Sequence, residues 1–232
     1  MKETINKKMK EASVLLIAAA MVLSTVAVTA DTNDQSPTFI SAGADYILHP
    51  QQTNVFDPDW LHFDDGTNAD AVGLANGGRF EFAIRLTPDE LADWSGYNIS
   101  TVRHHHGWSK GNPFLMAGTI KIYGEGTSTE PGSLITSEPF EVTENDWFDV
   151  KLSEPVLIAG DEDIWVSVHV THYAGQYPAG CDDGPMIKGK GGWIYLLGIW
   201  EEIGAIGYNV NWNIWVKLKA PSDPPEKPET PD

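Results

Sequence analysis

The chain has 232 residues, and its composition and charge already exclude several classes of protein. Lys and Arg number 15 against 33 Asp and Glu, which gives a formal net charge of −18 at pH 7. DNA, RNA and anionic lipid head groups would meet a surface of their own sign, so none of them is an expected partner. A hydrophobic content of 41% with nine Trp excludes a disordered chain, because such a composition can build a core.

The first thirty residues have the three-part pattern of a secretory signal peptide. Lysines are concentrated in Met1–Lys10, an apolar run covers Ala12–Val28, and small residues end at Ala30, where a signal peptidase would cut. The apolar run is also close to the length that spans a bilayer, so a retained N-terminal anchor is the alternative. Both interpretations predict a secreted or cell-surface protein.

Two polar segments flank one predicted domain. Residues 31–44 are predicted to form a polar leader, and the Pro-rich residues 220–232 favour an extended polyproline-type linker or tail. The region between them, 45–219, is expected to fold as one domain, because it contains no internal repeat. A semi-rigid spacer after the domain suggests a monomer or a module of a larger protein.

Apolar and polar residues alternate with a period of two inside 45–219. Over Gly78–Leu86, for example, Phe80, Phe82 and Ile84 fall on one face and charged residues fall mainly on the other. The same alternation recurs over Thr119–Tyr123, Trp147–Leu152, Ile164–Tyr173 and Asn209–Leu218, with further candidates at Tyr97–His106, Leu134–Val142 and Trp193–Trp200. About eight half-buried strands separated by Gly-, Pro- and Asp-rich turns predict an all-β fold, an antiparallel β-sandwich of the jelly-roll type.

One short helix is predicted near residues 88–95. Thr87 is suited to the N-cap, Pro88 to the first helical position, and Glu90 to the third position of a capping box. Leu91 and Trp94 supply an apolar pair on one side of this helix.

The acidic loop that begins at Asp64 is a candidate calcium site. Asp64, Asp65, Asn68 and Asp70 offer the carboxylate and amide oxygens that calcium prefers, and an extracellular chain meets abundant calcium. The spacing does not match an EF-hand. The alternative is an Asx-rich turn whose side chains accept hydrogen bonds from their own backbone. Calcium is the one cofactor that the sequence suggests.

The histidines are numerous enough for a zinc site, but their spacing disfavours one. In a regular strand over 164–173, His169 and His172 point to opposite faces, and His105 likewise opposes His104 and His106. The helical His-x-x-x-His spacing of zinc pairs is also missing.

Aromatic residues on polar strand faces form a candidate ligand site. Trp165, His169 and Tyr173 share the face opposite the valines of one strand, and Trp215 interrupts the polar face of the last strand. Exposed aromatic rings stack against sugar rings, while nearby polar side chains bind the hydroxyls. We therefore predict contact with a glycan or a cell-surface protein at these four residues. The alternative is that a loop or the short helix covers the rings and buries them.

Catalysis has less support than binding. The sequence contains no phosphate-binding glycine loop ahead of a helix. The single cysteine, Cys181, excludes an intramolecular disulfide, and a buried structural role is favoured over a nucleophile. Two carboxylates about 5–10 Å apart would suffice for a glycosidase, so a secreted glycoside or peptide hydrolase remains the alternative function.

Several strings occur in the order found in a known kind of module: Trp60–Asn68, Phe80–Leu86, Lys121–Gly124, Thr171–Pro185 and Asn211–Ile214. In this the chain resembles secreted archaeal and bacterial β-sandwich modules of the cleaved-adhesin and galactose-binding-like jelly-roll type, which are appended to extracellular peptidases and surface proteins. The resemblance implies a non-catalytic role in adhesion or ligand binding, with structural calcium in some relatives. A spacer domain of a surface protein, without a ligand, is the further alternative.

Overall fold

Antiparallel β-strands dominate the computed structural model, which describes residues 37–43, 59–107, 116–143 and 145–221. In chain order the strands are β1 (Phe39–Ser41), β2 (Trp60–Leu61), β3 (Asp70–Leu74), β4 (Gly77–Leu86), β5 (Asn98–His105), β6 (Met116–Gly124), β7 (Ser133–Val142), β8 (Trp147–Leu157), β9 (Ile164–Tyr173), β10 (Ala179–Cys181), β11 (Trp193–Leu196), β12 (Ile199–Glu202) and β13 (Ile214–Lys219). A helix, α1 (Pro88–Leu91), is followed by a 3-10 turn at Ala92–Trp94, and a second 3-10 turn covers Ile203–Ile206.

The strands are arranged in sheets of six, four and three strands within the described residues. The six-stranded sheet has the order β12-β11-β4-β9-β6-β7, the four-stranded sheet β2-β13-β5-β8, and the three-stranded sheet β1-β3-β10. Every pair of neighbouring strands is antiparallel. The predicted all-β antiparallel sandwich is therefore confirmed.

The alternation in the sequence determines which side chains form the core. Phe82 on β4 is the register partner of Val168 on β9, and both are buried in the main hydrophobic cluster. Val102 of β5 and Val216 of β13 belong to the same cluster, so the six-stranded and four-stranded sheets share one apolar core. The intervening residues of β4 and β9 consequently lie on the outward face of the six-stranded sheet.

The short helix forms at the predicted place, but only its first turn is α-helical. The backbone N–H of Thr87 donates to Glu90 Oε2 at 2.9 Å, as the capping box predicts. Leu91 is buried in the main core, and Trp94 in the following 3-10 turn packs against this core. The helix therefore contributes to the core.

A strand lies within residues 31–44, which were predicted to form a polar leader. Phe39, which was assigned to the polar leader, lies in β1, and its ring packs edge-on against Phe80 at 5.1 Å between centroids. The folded region therefore begins before Asp45. The predicted signal peptide and residues 222–232 of the predicted tail lie outside the described residues. Among the residues that are described, no helix has the length and apolar character needed to cross a membrane.

Candidate functional site

The outward face of the six-stranded sheet brings polar and aromatic side chains together in rows that cross the strands. The first row is formed by consecutive register partners on five strands, namely Trp200, Tyr195, Glu81, His169 and Thr119. The adjacent row contains Trp193, Ala83, Ser167 and Lys121. Directly opposed residues of antiparallel strands share a face and lie close enough for side-chain contact. We name Glu81, Lys121, His169, Tyr195 and Trp200 the outward patch.

Glu81 lies at the centre of the outward patch and is only 5% exposed. Its carboxylate forms an ion pair with Lys121 and accepts hydrogen bonds from Ser167 Oγ at 3.0 Å and Tyr123 Oη at 3.2 Å. Burial and the neighbouring Glu81 charge raise the pKa of Tyr123, so its hydroxyl stays protonated and donates. Three side chains thus fix the position of one buried carboxylate.

His169 is the partly buried imidazole beside this carboxylate. Burial lowers the pKa of His169, the charges of Lys121 and Arg79 lower it further, and Glu81 opposes them. The ring is therefore neutral at pH 7 and offers one N–H donor and one nitrogen acceptor. A neutral imidazole and a carboxylate together can bind hydroxyl groups as both donors and acceptors.

An aromatic cluster forms the other side of the outward patch. The ring of Trp165 packs against Trp193 at 4.9 Å and against Trp200 at 5.5 Å between centroids, and Tyr195 lies 5.2 Å from Trp200. Trp165 and Trp193 are buried, whereas Tyr195 and Trp200 are partly exposed. Among the described residues, the indole N–H groups of Trp165 and Trp193 have no hydrogen-bond partner. The partly exposed rings are the ones that a ligand can reach.

Trp165, one of the four residues predicted to contact a ligand, is buried. Its exposed fraction is 0%, and a Cβ atom on Gly126 would lie 2.6 Å from its Nε1. The loop between β6 and β7 therefore covers the ring, which corresponds to the alternative in which a loop buries these aromatics. His169 does lie in the outward patch, while Tyr173, at the end of β9, is 82% exposed.

Trp215 is also buried, at 3% exposed, and it lies on the four-stranded sheet. Its Nε1 donates to Asp64 Oδ2 at 2.7 Å, and its ring stacks on His62 at 4.1 Å and packs against Trp147 at 5.0 Å. It is thus enclosed by neighbouring rings and belongs to a different sheet from Trp165. The four predicted ligand residues do not form one surface.

The predicted calcium loop makes the hydrogen bonds of an Asx-rich turn. Its side-chain oxygens accept mainly from nearby backbone N–H groups and from side chains of the fold: Asp64 Oδ1 from Gly66 at 2.8 Å, Asp65 Oδ1 from Thr67 at 2.8 Å, Asn68 Oδ1 from Asn213 Nδ2 at 2.8 Å, and Asp70 Oδ1 from Gly43 at 3.0 Å. Within the described ranges, no group of three or more His, Cys, Asp or Glu residues is arranged to hold a metal ion. Calcium binding at this loop stays a prediction.

The histidines follow the predicted strand geometry. His172 is buried and accepts a hydrogen bond from the Leu74 N–H at 3.1 Å, whereas His169 lies on the outward face. His104 and His106 are also buried, and their ring centroids are 6.5 Å apart. The opposite orientation of His169 and His172 keeps them from acting as a metal-binding pair.

Sequence reasoning missed Glu81, Lys121, Tyr195 and Trp200. Glu81 was placed on the outward side of its strand by alternation, but nothing local distinguished it from other outward carboxylates. The available signal was the aromatic content of residues 193–200, a predicted strand with three aromatic residues. Only the order of the strands in the sheet places these side chains beside Glu81.

Comparisons with known proteins support the fold. No family model and no curated protein matches the chain. Among solved structures, it is similar to the cysteine protease and lectin-like domains of a surface layer associated protein of Clostridium difficile, with a TM-score of 0.51 and 11% identity. The match covers 71% of this chain and 37% of that one, so the chain spans little more than a third of its neighbour. The resemblance to cleaved-adhesin modules remains a prediction.

Proposed function

We propose that the chain is a non-catalytic extracellular module that binds a glycan at the outward patch. The observation that carries this proposal is the buried Glu81 carboxylate on a sheet face, fixed by Lys121 and flanked by His169 and by partly exposed aromatic rings. Carboxylates and imidazoles bind sugar hydroxyls, and aromatic faces stack against the C–H groups of sugar rings. The patch combines both kinds of group.

In this proposal Tyr195 and Trp200 take the stacking role that the sequence assigned to Trp165 and Trp215. They are adjacent register partners with ring centroids 5.2 Å apart, and both are partly exposed. The ring of the buried Trp165 packs against Trp200 in an edge-type contact, with 5.5 Å between ring centroids. A supported ring loses little conformational freedom when a ligand binds, which favours affinity.

The solved neighbour agrees with a role outside the cell. Its description includes a lectin-like domain and association with a surface layer. Together with the signal-peptide pattern of residues 1–30, this supports a secreted or cell-surface location and a glycan or another surface component as the partner.

A glycan array tests the proposal with the wild type and with Tyr195→Ala and Trp200→Ala. We expect each substitution to reduce retention of the bound glycan at least tenfold, because a stacked ring contributes a large share of such an interface. Trp147→Ala is the matched control, since Trp147 is also partly buried but lies on the four-stranded sheet. The Trp147→Ala variant should retain the glycan as strongly as the wild type does.

Two outcomes would count against the proposal in different ways. Undiminished retention by both outward-patch variants would remove this site but keep a glycan-binding function. No retention of any glycan by the wild type would remove the function itself. The hydrolase alternative is tested in the same samples, because it predicts release of reducing ends from the bound glycan, whereas the proposal predicts none.

A further inference from the structure

Arg79 is an exposed cation next to the outward patch. It lies on β4 two residues before Glu81, on the same face, and its register partner on β9 is the exposed Thr171. Two residues along a strand correspond to about 7 Å, so the guanidinium is within reach of a ligand bound at Glu81 and His169. The charge of Arg79 is the smallest of the causes that lower the pKa of His169.

The other two arginines of the chain are paired with carboxylates. Arg85 Nη2 lies 2.8 Å from Asp163 Oδ2, and Arg103 forms two hydrogen bonds with Asp149, from Nε at 2.5 Å and from Nη2 at 3.0 Å. Arg79 makes no ion pair within the part of the chain that the structure describes. In a chain with 33 acidic and 15 basic residues, carboxylates are abundant, so an arginine without one is notable.

The two cations of this region, Lys121 and Arg79, have different roles. Lys121 is compensated by Glu81, which is itself buried, so this pair adds little net charge to the surface. Arg79 has an uncompensated charge and five N–H donors in a planar fork that matches a carboxylate with two parallel hydrogen bonds. The more distant acidic residues are screened at physiological salt beyond about 8 Å.

We infer that the glycan bound at the outward patch carries a carboxylate, as uronic acids do, and that Arg79 binds this group. The inference rests on the proposed function and specifies its ligand class. The sugar ring lies against Tyr195 and Trp200, its hydroxyls contact His169 and the Lys121 ammonium that Glu81 holds in place, and its carboxylate pairs with Arg79. A net negative protein that binds an anionic sugar needs a local cation of this kind, because the overall charge disfavours the encounter.

Calorimetric titration of the full chain with acidic polysaccharides and their carboxyl-reduced forms tests the inference. The probes are polygalacturonate, alginate and hyaluronate, each compared with the same polymer after reduction of its carboxylates to alcohols. We expect tighter binding of at least one acidic form than of its reduced form, by about ten- to a hundredfold, the range for hydrogen bonds to a charged group. Arg79→Gln should abolish that difference, and Arg79→Lys should retain part of it. Lys219→Gln removes an equal charge from an exposed position on β13 and should leave the difference unchanged.

The outcomes separate this inference from the proposed function. Equal affinity for the acidic and reduced forms, unaffected by Arg79→Gln, would overturn the carboxylate preference and leave glycan binding in place. Absence of binding to every saccharide, including those of the array, would overturn both. Equally tight, Arg79-dependent binding of poly-L-glutamate would show that the site recognises an acidic peptide, which would overturn the saccharide assignment.

Discussion

Acid should destabilise this protein at a pH where most of its carboxylates are still ionised, because His104 is buried in the core. Its ring lies 4.7 Å from that of Phe140 and 6.3 Å from that of Phe148, and neither nitrogen has a hydrogen-bond partner among the described residues. Burial, together with the neighbouring His106 and His105, lowers the pKa of His104 to about 3. Burial lowers the pKa of His106 to about 4.

The sign of the effect follows from comparing the folded and unfolded chains. In the unfolded chain both histidines titrate near pH 6.5, so between pH 6.5 and about 4 the unfolded state binds more protons than the folded state. The free energy of unfolding therefore falls as the pH falls through this window. Each histidine contributes about 1.4 kcal/mol per pH unit, so the two together remove about 4 kcal/mol between pH 6.5 and about pH 5. A typical domain has only about 5–15 kcal/mol in total.

Urea unfolding followed by tryptophan fluorescence at about pH 7 and about pH 5 measures this loss. His104→Phe keeps an aromatic ring between Phe140 and Phe148 but removes one titrating group, so we expect it to reduce the difference between the two pH values by about 2 kcal/mol. Phe148→Leu is the control, because it weakens the same packing without a titrating group and should lower stability equally at both. Equal wild-type stability at the two pH values would refute the reasoning. So would a His104→Phe variant that loses as much stability between the two pH values as the wild type does.

The remaining predictions concern the outward face and the acidic loop. Gly126→Ala should lower the melting temperature by an amount equivalent to about 1–3 kcal/mol, because the added Cβ overlaps the Trp165 indole, and an unchanged melting curve would contradict that packing. Lys121→Met should lower the free energy of unfolding, measured with urea, by about 3 kcal/mol, because it leaves the Glu81 carboxylate buried without its ion pair. Adding Glu81→Gln to the same chain should restore most of that stability. Additive losses in the double variant would show that the two charges are not coupled. Calcium at the acidic loop predicts a rise in melting temperature that EDTA reverses and Asp65→Asn removes, whereas identical melting with calcium and with EDTA would exclude it.

The strands could be predicted because their signal is local. In β9 the alternation of Val166, Val168 and Val170 with polar and aromatic residues specifies both the strand and its buried face. The capping-box residues before α1 likewise specify where the helix begins. Phe39 carries no comparable local signal, because its strand is short and its surroundings are polar; pairing with β3 and contact with Phe80 bring it into the core.

The sites could not be predicted because their contacts join distant parts of the chain. Trp215 and Asp64 were assigned to two separate sites because they lie 151 residues apart in sequence. In the fold their side chains form a hydrogen bond with each other. Trp165 has the same position in its strand as an exposed platform residue would have, but the loop at Gly126 and the rings of Trp193 and Trp200 cover it. Alternation identifies the face of a strand, but it does not show what lies above that face.

The same reasoning explains why the Glu81–Lys121 pair argues for a binding site more than for stability. A buried ion pair loses the hydration of both charges, and apolar residues of similar volume in its place are often as stable or more stable. On a sheet face, Val or Thr at these positions would pair across β4, β9 and β6 without that cost. The pair is also held by Ser167 and Tyr123, which would have no role beneath an apolar surface. A carboxylate fixed at a cost beside partly exposed rings supports the proposed recognition of a polar, ring-shaped ligand.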